Sequence, residues 1–163
     1  AGLITFSLNL YPGCSTEIPW LEETKRTELN PLTVKRLMYR HGHHALEILE
    51  NAKKNPELRR TLCECEQVIA AEVEYCVRNE WATSLSAIRR RTRMGMGPCQ
   101  SCRCALSTAM FMGSLLHWTR EQVTEEAGAF LNARWRGNIP VLYGEQAKQA
   151  EYARSLTLMT ERL

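Results

Sequence analysis

The stretch CECEQVIAAEVEYCVRNEWATSLSAIRRRTRMGMGPCQSCRC, Cys63 to Cys104, holds six of the chain's seven cysteines, and five of them crowd its two ends. The interior reads as helix. EQVIAAEVEYCVRNE repeats apolar residues at Val68, Ala71, Val73, Cys76 and Val77, the spacing of a helix of about three turns. TSLSAIRRRTR is a shorter helix with Thr83 or Ser84 as its N-cap, because a hydroxyl there can accept an orphan N–H of the first turn. GMGP, Gly95 to Pro98, is a loop. Two helices joined by a turn reverse the chain, so the thiols at either end are expected to meet. The fold is therefore expected to be a helical unit closed by sulfur-bearing loops.

The flanks extend the helical pattern. NPLTVKRLMYRHG has Asn30 as N-cap, Pro31 at the first helical position and a stop near Gly42. HHALEILENAKKNPELRR puts Ala45, Ile48, Leu49 and Ala52 on one face, and Pro56 interrupts it. CALSTAMFMGSLLHW is apolar round most of its circumference and is expected to be a buried helix. TREQVTEEAGAFLNARWRG opens with a capping box, Thr119 and Gln122, and ends near Gly137. NIPVLYG is a linker before a terminal helix. The first residues differ: LITFSLNLYPG alternates weakly and stops at a Pro-Gly turn, as a strand leaving a sheet does. The architecture expected is all-α, two small helical units meeting near Cys63, with an irregular N-terminal segment. The boundaries expected are 1–29 for the remnant of a preceding domain and linker, 30–60 for a helical cap, 61–118 for the cysteine-bearing domain and 119–163 for C-terminal helices.

Bulk properties narrow the function classes. The 163 residues carry a net charge of +3, too mild for the basic stripe of a nucleic-acid binder. No apolar run is long enough to span a bilayer. The N-terminus lacks a basic stretch followed by an apolar one, so no secretion signal is read. The compartment expected is cytoplasmic, extending to the inner face of a membrane. In that reducing setting, an odd number of clustered cysteines points to metal or redox chemistry rather than disulfides.

Converging thiolates make a soft, sulfur-rich site that suits a [2Fe–2S] cluster or zinc. Zinc sites usually take C-x2-C pairs from tight turns. Cys63 and Cys65 form a C-x-C pair, whose side chains leave an extended backbone on opposite sides and share one tetrahedron less readily. Gly95 and Gly97 allow backbone to approach a bulky inorganic group. Helix starts expected just after Cys65 and near Cys102 would direct N–H groups toward negative sulfur. Iron–sulfur, zinc and unligated or regulatory thiols all remain open on spacing alone.

CECEQV, AAEVEYCVRNE and above all RRRTRMGMGPCQ resemble the C-terminal region of the large flavin subunit of anaerobic-type FAD-dependent glycerol-3-phosphate dehydrogenases. That region is similar in turn to bacterioferritin-associated ferredoxin. LTVKRLMYRHGHHALEILENAKKNPELRR resembles the helical cap after the flavin domain, and FLNARWRGNIPVLYGEQAKQAEY the tail of the same large chain. The resemblance runs from Asn30 to Tyr152 and implies a [2Fe–2S] cluster on a helical scaffold. Carried over, Cys63 and Cys65 match the first pair, Cys99 opens the family's C-Q-G-x-x-C, and Cys104 closes it. Cys102 is the alternative fourth ligand, because the related ferredoxins use a shorter C-x2-C. This sequence departs at Ser101, where the family has glycine, at the extra thiol Cys102, and at Ile69, where a capping threonine is common.

The resemblance implies an electron-transfer and interaction domain. FAD would sit in the parent protein's flavin domain and oxidise sn-glycerol 3-phosphate. The implied partners are that flavin domain and a further subunit of a membrane-associated complex, with no nucleic acid. The chain has no G-x-G-x-x-G fingerprint, so no flavin site is read here, no catalytic residue is assigned, and the chain alone is expected to be inactive. The alternative is a structural or docking domain with zinc or no metal. A third reading is a thiol redox sensor built on Cys99, Cys102 and Cys104.

Other signals have plain readings. Arg89, Arg90, Arg91 and Arg93 suit a solvated face, or a surface that docks on the flavin domain and offsets cluster charge. His41 to His44 read as a helix end and turn, since Gly42 interrupts them and no acid or thiol lies alongside in sequence. Cys76 falls on an apolar face as a small hydrophobe. Met94, Met96, Met110 and Met112 read as packing residues. Trp118 and Trp135 read as core, and WRGNIPVLYG suits a partner surface.

Overall fold

A computed structural model describes residues 29–160. The alternating LITFSLNLYPG run and Cys14 lie outside the described residues. The described chain is helical apart from one small hairpin. Helices α1 (Pro31–His41) and α2 (His44–Lys54) lead into a 3-10 turn, Pro56–Arg59, and the hairpin β1 (Thr61–Cys63) and β2 (Val68–Ile69). Then come α3 (Ala70–Asn79), α4 (Leu85–Thr92), α5 (Ala105–Leu116) and α6 (Arg120–Asn138). A 3-10 turn, Ile139–Val141, precedes α7 (Gly144–Thr160). The all-α reading holds, with this two-stranded ribbon added.

The caps form where the sequence places them. Asn30 accepts from the Leu32 N–H at 2.8 Å, and Pro31 fills the first position of α1. Ser84, rather than Thr83, caps α4 by accepting from the Ala87 N–H at 3.2 Å. The capping box of α6 is complete: the Thr119 hydroxyl accepts from the Gln122 N–H, and the Gln122 side chain accepts from the Thr119 N–H at 2.8 Å.

Two local expectations are corrected. The helix expected just after Cys65 starts only at Ala70, because Val68 and Ile69 pair as β2 with β1. Thr61 lies opposite Ile69 and Cys63 opposite Val68, with an irregular register between them. Ile69 gives α3 no side-chain cap, but the Ala70 N–H donates to the Arg60 carbonyl at 2.9 Å, so a neighbouring backbone does the capping. The second correction concerns α5. It is not buried all round: Leu106 and Met110, one turn apart, are exposed.

One hydrophobic cluster runs through the described helices. It joins Val34 and Leu37 of α1, Ile48 and Leu49 of α2, Val73 of α3, Leu85 and Ile88 of α4, Met112 of α5 and Phe130 of α6. Met94, on the loop after α4, is also fully buried, which pins that loop to the core.

Candidate metal centre

Two segments carry the thiols, and each is held by a different helix. The first is the hairpin, with Cys63 at the end of β1 and Cys65 in its turn. The face of α1 that carries Thr33, Arg36 and Arg40, spaced as one helical stripe, grips this turn. Arg36 donates to the Cys65 carbonyl at 2.7 Å, and Arg40 to the Glu66 carbonyl at 3.0 Å. The Thr33 hydroxyl donates to Gln67 Oε1 at 2.8 Å, and Gln67 Nε2 returns to the Glu64 carbonyl at 2.7 Å. Sequence reading missed these three α1 residues as site supports. Their signal was a polar stripe on a helix whose opposite face is apolar.

The second segment is the loop from Arg93 to Cys104. It winds tightly because four of its residues take left-handed backbone: Arg93 at φ 63°, Gly95 at 71°, Gln100 at 48° and Ser101 at 83°. Thr92 anchors its start, donating to the Ile88 carbonyl and accepting from the Met94 N–H. At its far side Gln100 Nε2 donates to the Gly97 carbonyl at 3.0 Å. Arg134 of α6 donates in turn to Gln100 Oε1. Gly97 is needed for closeness: a Cβ there would collide with the Cys65 Cβ and come within 3.2 Å of its Sγ.

Cys63, Cys65, Cys99 and Cys104 line one cavity of about 180 Å³, together with Glu64, Arg103 and Ser107. Cys65 Sγ lies 3.7 Å from Cys99 Sγ. Cys104 Sγ donates to the Ser101 carbonyl at 3.9 Å. Hydrogen bonding from Cys104 is the main cause that lowers the Cys63 thiol to about 6, helped by N–H groups of Gly95 and Glu66 and opposed by burial. The same interaction with Cys63, then burial, pushes Cys104 well up. Cys65 is raised, mainly by its hydrogen bond to Cys99. Cys63 is thus the sulfur readiest to ionise, while Cys65 and Cys104 are pushed toward the protonated thiol, which a bound cation would displace. Cys102 is exposed and faces a different, larger cavity.

The donor set fits a sulfur-ligated metal centre. Four thiols from two segments meet in a space of their own, backbone N–H groups point at one of them, and Gly97 leaves the approach open. The start of α5 stands close by, with Cys104 at its N-cap. The Arg103–Glu64 ion pair at the rim, 3.2 Å and largely exposed, adds little.

The remaining candidates separate. Arg91 is committed to Glu80, at 2.8 Å and through the Glu80 carbonyl. Arg93 reaches Glu66 at 3.4 Å, and Arg90 is exposed. His41 does have acid and thiol neighbours once the chain folds. It sits 3.0 Å from Glu72, and its ring, Cys76 Sγ and a Glu80 oxygen lie within 4.8 Å of one another. Sequence reading missed this because the partners are more than thirty residues away. Both carboxylates already pair with arginine, Glu72 with Arg40 and Glu80 with Arg91. Burial, the largest cause, raises the Cys76 thiol strongly, so it packs as a neutral group. Met94 and Met112 are buried and Met110 is exposed; Ile139, Val141 and Tyr143 are exposed along the α6–α7 connection.

Residues 11–123 match the family described as the C-terminal domain of alpha-glycerophosphate oxidase. Similar proteins include an anaerobic glycerol-3-phosphate dehydrogenase chain of Haemophilus influenzae, 38% identical over 133 residues, covering 80% of this chain and 23% of that protein. Its namesake in Escherichia coli K12 is 38% identical over 117 residues, 72% of this chain and 21% of its own length. An anaerobic glycerol-3-phosphate dehydrogenase chain of Haloferax volcanii is 29% identical over 115 residues, 71% of this chain and 18% of its own. All three are single subunits of their enzymes. The present chain thus spans about a fifth of the length of these relatives. No solved structure matches.

Proposed function

The chain belongs to the family of C-terminal domains of alpha-glycerophosphate oxidase, and from that premise we propose that it is the electron-transfer and interaction domain of an FAD-dependent glycerol-3-phosphate dehydrogenase. In this reading the parent protein oxidises sn-glycerol 3-phosphate on FAD. Electrons leave through a [2Fe–2S] cluster in this domain for a partner subunit of a membrane-associated complex. Among the described residues, no helix is long and apolar enough to cross a membrane, so in this reading any membrane contact is peripheral or runs through the partner.

The observation that carries the reading is the single cavity lined by Cys63, Cys65, Cys99 and Cys104. These are the proposed ligands, and bound there a [2Fe–2S] cluster supplies one-electron transfer. The protein's own work is to hold the four sulfurs and to direct the Gly95 and Glu66 N–H groups at Cys63, which offsets negative charge on that sulfur. Cys102 has no part in ligation in this reading, since it is exposed beside another cavity. A second reading rests on the same geometry. Four converging thiols with two of them 3.7 Å apart also suit one tetrahedral zinc, which would make the centre a structural brace.

Metal analysis of the chain prepared without air separates the two. The first reading expects colour and about two irons and about two acid-labile sulfides per chain. Colourless protein with zinc alone favours the brace. Cys104→Ser should abolish iron uptake and Cys102→Ser should leave it intact; the reverse pattern overturns the ligand assignment. Absence of any metal after anaerobic reconstitution overturns both readings.

A further inference from the structure

Beside the thiol cavity lies a larger one of about 620 Å³, bounded by the 98–102 loop, α6 and α7. Cys99 lines both. The volume falls in the range of small-molecule sites, roughly 300–1,000 Å³. Leu131, Trp135 and Leu142 give it apolar walls. Its charges are uneven. Arg154 stacks on Trp135 at 4.3 Å and pairs with Glu151, and Glu145 pairs with Lys148, so these are matched. Arg134 is not. Among the described residues it donates to the neutral Gln100, and its buried Nε finds no acceptor. Arg89, on α4, also has a buried Nε without an acceptor. The two charges lie close enough to repel: burial first, then Arg134, lowers the Arg89 guanidinium. Among the described residues, no carboxylate pairs with either.

Two guanidiniums that feel each other's charge, each with a buried Nε and neither paired with a carboxylate among the described residues, make a local excess of positive charge, and one of them, Arg134, lines an apolar chamber. We propose that this cavity binds a small amphipathic anion, its apolar body against Leu131, Trp135 and Leu142 and its single carboxylate or phosphate group on Arg134, with Arg89 adding to the field. The proposal does not depend on what the four thiols hold, so it stands or falls apart from the cluster.

The test uses the 163-residue chain and four probes: 2-naphthoate and decanoate, each beside its neutral amide. Binding is followed by calorimetry and by protection of Cys102, which is exposed and lines this cavity, against maleimide, read by peptide mass mapping. At least one acid should bind and slow Cys102 labelling. Its amide should bind about tenfold or more weakly, and Arg134→Met should erase that difference. Preference for naphthoate would identify a planar ligand and preference for decanoate a chain; either supports the site. Amides that bind as tightly as acids, or no binding at all, would overturn it. If Arg134→Met fails to fold, the comparison of acid with amide on the unaltered chain still decides.

Discussion

Ser101 shows how one residue meets two opposed demands. It is fully buried at φ 83°, a backbone region that costs a residue with a Cβ on the order of 1 kcal/mol or more. Its hydroxyl donates to the Gly95 carbonyl at 3.3 Å, and such a bond contributes about 1 kcal/mol. The terms nearly cancel, which explains how serine stands where the resembling family has glycine. Ser101→Gly gives up the bond and relieves the strain, so its stability should stay within about 1 kcal/mol of the starting protein. Ser101→Ala keeps the strain and orphans the Gly95 carbonyl, so it should fall about 1–2 kcal/mol below the serine protein. Urea unfolding of all three gives the order; an alanine variant as stable as serine would mean the hydroxyl contributes nothing. The reverse substitution at Gly95 is closed, because a Cβ there would run into Ser101 Oγ.

At the scale of elements, the hairpin's position depends on a buried charge network between α1 and α3. Arg40 holds Glu72 through two bonds of 2.6 Å, His41 lies 3.0 Å from the same carboxylate, and Arg40 also ties down the Glu66 carbonyl. The Arg40 and Glu72 side chains are 4% and 0% exposed, so removing one partner strands a charge in the interior. Arg40→Met should therefore cost about 3–5 kcal/mol. The double variant Arg40→Met with Glu72→Leu should recover a large part of that loss, because no uncompensated carboxylate remains. A double-mutant cycle by urea unfolding checks this, and losses that simply add would show that the pair does not act as a unit. Arg40→Met should also weaken metal uptake, since the Cys65 turn loses one of its holds. The sequence could reveal the start and end of α1, because Asn30, Pro31 and Gly42 act on their own neighbours. It could not reveal what the polar stripe of α1 serves, since Glu66, Gln67 and Glu72 reach it only through the tertiary fold.

For the whole molecule, the same division between local and distant causes decides what could be read in advance. The caps and stop of α1 and the apolar face and break of α2 were legible because helix signals lie within a few residues. The hairpin was not: Val68 and Ile69 fit a helical repeat as well as a strand, and only pairing with Thr61 and Cys63 decides. The meeting of the two cysteine clusters could be expected from the chain reversal, but the exposure of Cys102 required the winding of Gln100 and Ser101 through left-handed backbone. Sulfur atoms drawn together from two distant segments link binding to folding, because a denatured chain does not hold them in place. Zinc serves as a probe of that link at the proposed centre. At about a hundredfold excess over its dissociation constant, a ligand specific to the folded state adds about 2.7 kcal/mol. For a chain of this length that raises Tm by about 5–10 °C, less whatever zinc the unfolded thiols take. Cys65→Ser should lose most of the rise, and Cys102→Ser should keep it. A thermal scan in zinc that shifts no more than one in magnesium would mean that these sulfurs do not converge in solution.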